Sequence, residues 1–249
     1  VSDRDIREAF RAAFESGYRS VKLYFILGLP TETDEDLEAI AEKGKWALDV
    51  AEEVLGRKEA RNVRVTISVS VFVPKAHTPF QFEGQPDHKE IRRRQQHVKW
   101  CLKDRRIEYK YHPSDSSHLE ALLSLGDRRV SAALLKAWEM GARFDGWTEH
   151  FDYARWLKAC EAVGIDIAWY AHRKKGYGEV FAWDHLFAGV TREWLIDDHK
   201  RALSEVEVED CRWENCDVCG ACMQFDVLPV LKPAGASAFV REDDLEITG

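Results

Sequence analysis

VKLYFILGLPTETDEDLEAI (residues 21–40) carries a strand, a turn and a helix start in one run. VKLYFIL (21–27) is short and almost wholly apolar, the pattern of a parallel strand covered on both faces. Gly28, Leu29 and Pro30 turn the chain. Thr31 and Thr33 then compete as N-caps, and Thr33 with Asp36 forms a capping box that uses a shorter acid. Glu32, Asp34, Glu35 and Asp36 place negative charge at the positive end of the helix dipole. Leu37, Ile40, Ala41, Leu48, Ala51 and Val54 mark the buried stripe of that helix to about residue 55.

Working outward, residues 3–16 repeat Ile6, Phe10, Ala13 and Phe14 at helical spacing, and Gly17 ends the helix. Downstream, VRVTISVSVFV (63–73) alternates strictly. Val63, Val65, Ile67, Val69, Val71 and Val73 share one face, which predicts packing against helices. Thr66, Ser68 and Ser70 line the other face, leaving room and polarity for a ligand or for solvent. A helix over about 87–105 and a strand, IEYKY (107–111), follow. The order helix–strand–helix–strand–helix–strand predicts an α/β parallel arrangement with right-handed crossovers. Ligands in such folds collect where strands end and helices begin, here the loops 28–32 and 73–79.

From residue 114 the character changes. Short helical segments (about 116–124, 128–140 and 151–163) alternate with turns, and tryptophan becomes frequent at uneven intervals. The runs WTEHFD (147–152) and WDHLF (183–187) mix aromatic, acidic and histidine side chains; such histidines are chiefly structural, with a pocket lining as the second reading. An acidic stretch, EVEVED (205–210), leads into a cysteine loop and an exposed tail. The expected divisions are therefore 1–113, 114–204 and 205–249.

DCRWENCDVCGACM (210–223) holds Cys211, Cys216, Cys219 and Cys222. Thiolates are the soft ligands that zinc and iron–sulfur clusters select, and four of them complete a ligand set. Nothing resembles a signal peptide, so metal binding outranks disulfide formation, and the expected compartment is the cytoplasm. No apolar run approaches the roughly 20 residues a membrane span needs. All four ligands share one short loop, closer to a ferredoxin-type run than to paired zinc knuckles; iron–sulfur is favoured and zinc stays open. Cys101 and Cys160 stand alone and read as buried small hydrophobes. The net charge of 36 − 44 = −8 disfavours nucleic acid as the main partner.

The motifs in order resemble the radical S-adenosylmethionine enzymes. Residues 21–40 resemble the strand of their barrel that ends in Gly-x-Pro-x-Glu-Thr. VSVFVPKAHTPFQFE (69–83) is similar to the following strand and loop. The run 126–156, WDH (183–185) and the terminal cysteines resemble the cobalamin-binding members, so that the similarity covers nearly the whole chain. The resemblance implies the C-terminal part of a partial (β/α) barrel, followed by a mostly helical extension with a cysteine-rich metal loop. It places Gly28, Leu29, Pro30 and Glu32 against S-adenosylmethionine and offers Val71, Phe72 and Val73 to its adenine. Independently, a glycine at a strand end permits close backbone approach, and the helix N-terminus beside it favours an anionic group such as a carboxylate.

The family holds its catalytic cluster with Cys-x3-Cys-x2-Cys, and no such run occurs here. The expectation is thus the C-terminal half of an enzyme that generates a 5′-deoxyadenosyl radical, inactive alone and with catalytic residues unassigned. An N-terminal barrel half and a cobalamin domain would join it in cis or as a split subunit. Cys211, Cys216, Cys219 and Cys222 would then hold an auxiliary iron–sulfur cluster of the [4Fe–4S] type. The rival reading is a non-catalytic zinc module that contacts RNA or protein.

Overall fold

Three parallel strands, β1 (Ser20–Leu27), β2 (Arg64–Val71) and β3 (Ile107–Tyr111), pair in the order β1-β2-β3. They belong to a computed structural model that describes residues 2–211 and 215–227. The chain divides into two compact units, the first ending at Leu186 and the second beginning at Phe187. The division falls inside the Trp-rich segment.

Helix α1 (Asp3–Glu15) precedes β1, α2 (Asp34–Ala60) joins β1 to β2, and α3 (His88–Cys101) joins β2 to β3. The sequence dictates each start. Ser2 and Asp5 close a capping box on α1, Thr33 and Asp36 close one on α2, and Asp87 caps α3. At Gly56 the backbone of α2 swings to φ 75°, a kink that glycine tolerates. Right-handed crossovers between strands laid down in sequential order place every connecting helix on the same side of the sheet. Val65, Ile67 and Val69 are accordingly buried, with Leu27, Leu37, Leu48, Val50, Phe14 and Val98 in the same core.

The opposite sheet face is uncovered among the described residues. β1 was expected to be covered twice; instead it alternates, with Tyr24 72% and Ile26 53% exposed. The apolar run misleads because only its odd-numbered positions meet helices. Across the open face the register sets Lys22 beside Thr66 and Glu108, Tyr24 beside Ser68 and Lys110, and Ile26 beside Ser70.

The remainder of the first unit is helical: α4 (Ser114–Leu125), α5 (Val130–Glu139), α6 (Tyr153–Ala162) and α7 (Ile167–Ala171). They share a second core of Leu119, Leu122, Val130, Ala133, Trp156 and Ile167. Cys160 lies in it, as expected of a small hydrophobe. In the second unit α8 (Arg192–Leu203) precedes the cysteine loop, and a single helical turn, α9 (Ala221–Phe225), ends it. Among the described residues no helix is long and apolar enough to cross a membrane.

Candidate functional site

The turn after β1 is built around one carboxylate. Gly28 has φ 94°, and a Cβ there would come within 3.3 Å of Pro86, so backbone conformation and space both require glycine. Its N–H donates to both carboxylate oxygens of Glu32, at 2.9 and 3.1 Å. Arg94 Nη1 donates to Glu32 Oε2 at 2.6 Å, while Arg94 Nε donates to Glu90 at 2.7 Å. Arg93 and Arg94 hold the Glu90 carboxyl at about 2. The anion seated at this strand–helix turn is therefore the chain's own Glu32, whose side chain is 6% exposed.

Beside the turn, at the C-terminal ends of β1 and β2, a cleft of 640 Å³ brings together Leu29, Val71, Phe72 and Val73 with Ile26 and Ser70. Lys75, Thr78, Phe80, His112, Ser117 and Glu120 complete it. Four residues expected at a ligand thus meet in one cavity; Gly28, Pro30 and Glu32 form the adjoining turn. The walls are joined by Gln85, whose buried amide donates to the Phe72 carbonyl at 2.9 Å and to the Ser117 carbonyl at 3.2 Å. Lys75 donates to Glu120 at 2.5 Å and to Ser124 at 3.1 Å. An apolar floor with one lysine, one histidine and one acid suits a ligand that is part aromatic and part polar.

In the second unit the four cysteines line a separate hollow of 310 Å³ together with Trp194, Val208, Asp217, Val218 and Met223. Burial, then Asp210 and the other three thiols, push the Cys211 thiol up. The Val218 N–H donates to Cys216 Sγ at 3.4 Å. Val218 itself adopts φ 50°, an uncommon conformation for a β-branched residue. A backbone N–H aimed at sulfur stabilises a thiolate, the donor that a cluster or zinc takes. Among the described residues, however, no three of the four sulfurs lie within 4.8 Å of one another, so the loop would have to close to surround a single ion. Helix α8 clamps it. Arg201 donates bidentately to Asp217 at 2.9 Å for both bonds, holding that carboxyl below the usual range. Trp194 Nε1 donates to the Asp217 carboxylate at 2.8 Å, and the Thr191 N–H to the Cys219 carbonyl at 3.1 Å.

Two groups escaped the sequence reading. Cys101 is half-buried, with Glu38 and His97 offering ligand atoms within 4.8 Å; the His97–Glu38 hydrogen bond at 3.3 Å accounts for this group without an ion. The second is a nest of His88, His118 and Tyr153, with His172 stacked on His118 at 4.7 Å. Burial, then the neighbouring His88 and His172, pull His118 down to about 4, and burial also lowers His88. Tyr153 is pushed up to about 12, first by burial and then by Asp115. No spacing signals this group, because its members come from three helices.

No family model matches the chain, and no solved structure does. A stretch of 136 residues, 54% of the chain, is 34% identical to the uncharacterized protein MJ0966 of Methanocaldococcus jannaschii. The matched stretch covers 27% of that relative, so the chain is similar to one part of a longer protein.

Proposed function

We propose that this chain is one part of a radical S-adenosylmethionine iron–sulfur enzyme, contributing the C-terminal half of its barrel. The observation that carries the reading is the singly wound sheet with one bare face and a cleft at its C-terminal edge. Strands added in sequential order, with all helices on one side, are the arrangement that closes into a barrel when more strands continue it. The uncovered face, with Thr66, Ser68 and Ser70 beside Tyr24 and Ile26, then becomes barrel interior. The cleft lies where such barrels bind their ligands.

In this reading Leu29, Val71, Phe72 and Val73 receive the adenosyl part of S-adenosylmethionine. Gly28 and Glu32 keep the turn rigid beneath it, a supporting role rather than direct contact. Cys211, Cys216, Cys219 and Cys222 would hold an auxiliary [4Fe–4S] cluster, which when bound supplies electron relay or a point of substrate attachment. Asp217, Arg201 and Trp194 orient the thiols, and the Val218 N–H tunes Cys216. The three-cysteine catalytic motif, and a cobalamin domain, belong to other parts of the enzyme.

Anaerobic purification with metal analysis tests the loop. Brown protein with iron and sulfide is expected, whereas colourless protein with one zinc returns the rival zinc module. Incubating the 249-residue chain with a reductant and S-adenosylmethionine should give no 5′-deoxyadenosine, and release of that product would overturn the assignment.

A further inference from the structure

Side chains of three helices in the first unit converge on one point. His88 Nε2 from α3 lies 2.7 Å from His118 Nδ1 of α4, and Tyr153 Oη of α6 lies 2.5 Å from His118 Nδ1 and 3.2 Å from His88 Nε2. Hydrogen bonds cannot run along all three sides of this triangle. A ring nitrogen either carries a proton or offers its single in-plane lone pair, and never does both. Whatever the tautomers, a linear hydrogen bond lies along at most two of the three sides. The third side sets two polar atoms together with no proton of their own between them. The outer nitrogens add to the imbalance: His88 Nδ1 and His118 Nε2 are buried with no hydrogen-bond partner.

A cation resolves the conflict, because three lone pairs can then point at one centre. We propose that His88, His118 and Tyr153 form a binding site for one first-row divalent cation of the zinc type. Two imidazole nitrogens are donors that such ions accept, and Tyr153 completes the set as a phenolate, its proton released to solvent when the ion binds. Ligand atoms at tetrahedral zinc sit about 3.3 Å apart, so the triangle needs to open only slightly. The surroundings resemble a support shell. His88 Nδ1 lies 3.4 Å from Asp115 Oδ1, where a small ring rotation gives the carboxylate–histidine–metal arrangement. His118, 6% exposed, is seated by its stack on His172, whose Nδ1 bonds the Gln85 carbonyl at 2.8 Å. Gln85 in turn joins Phe72 to Ser117, so a bound ion would brace the wall of the strand-end cleft. This site stands independently of the radical-enzyme reading.

The test uses the full chain with Cys211, Cys216, Cys219 and Cys222 all replaced by serine, which removes the thiol loop's own metal. Titration with cobalt(II) should give one equivalent, with visible d–d bands and no sulfur-to-cobalt charge-transfer band. Zinc should compete for it and raise Tm. His88→Gln and Tyr153→Phe should each weaken binding at least about tenfold with the far-ultraviolet circular dichroism unchanged. If His118→Gln does not fold, the His88→Gln comparison decides. Native mass spectrometry of the unmutated chain should show one zinc beyond the loop's metal, absent in His88→Gln. A folded chain that binds no cobalt overturns the proposal. So does binding that His88→Gln leaves unchanged, or a thiolate charge-transfer band, which would move the ion to Glu38, His97 and Cys101.

Discussion

Around Gly28 the chain is held by packing, whereas around Cys216 it is held by a few polar bonds. Leu27, Leu37 and Ile67 are fully buried behind the strand-end cleft, and the capping box of α2 and the Glu32–Arg94 pair lock the turn onto that core. The thiol loop has no such backing: α9 buries no residue, and Val218 and Met223 are 70% and 84% exposed. Its geometry depends on Asp217, held between Arg201 and Trp194. A packed site keeps its shape with or without a ligand. A clamped loop without such backing would gain much of its order from any metal it took up, since metal binding and local folding are coupled.

The contrast can be broken at its strongest point first. Ile67→Ala, in the middle of β2, should cost about 3 kcal/mol in chemical denaturation. A loss below about 1 kcal/mol would mean the sheet is not packed as described. Glu32→Gln should cost about 2 kcal/mol, because Arg94 keeps only Glu90 and the Gly28 amide faces a weaker acceptor. An unchanged denaturation midpoint would remove the turn's lock.

Lys175 sharpens the comparison from within the packed region. It is 9% exposed, and burial, then Arg173, pull its pKa down from 10.5 to about 8. Between those values the unfolded chain binds more protons, so stability rises as pH rises from about 8 to 10.5. Below pH 8 the fold carries a buried charge. Lys175→Met should therefore be more stable at pH 7 by about 3 kcal/mol, with the gain vanishing above pH 10.5. A pH-independent gain would point to packing instead. The smallest effect is expected at the clamp: Arg201→Met should weaken metal retention by the loop about tenfold in chelator competition, with little change in helix content. Unchanged retention would show that the loop organises itself.

Much of the architecture was legible. Strict alternation from Val63 to Val73, the caps at Thr33 and Asp36, and the apolar stripes of α1 to α3 gave the helix–strand order, because each is a local rule with a fixed period. The ends were less clear: β2 leaves the sheet at Val71, and α3 stops at Cys101 rather than running to about residue 105. The second face of β1 was misread, since an apolar run does not reveal whether anything covers its even-numbered positions. In the candidate sites, the four cysteines announced themselves by proximity, and Leu29, Val71, Phe72 and Val73 by resemblance. The role of Glu32 as partner of Gly28 and Arg94 was not legible, because Arg94 lies 62 residues away.

By itself the sequence determined the local elements, the parallel α/β order and the clustering of four thiols, all of which depend on neighbours a few residues apart. Only the tertiary structure decided which sheet face stays open, and that the strand ends share a cleft. It also decided that Asp217 is clamped by α8 and that His88, His118 and Tyr153 meet. Those outcomes depend on contacts between residues far apart in the chain, where helix crossing and strand register, rather than periodicity, choose the partner.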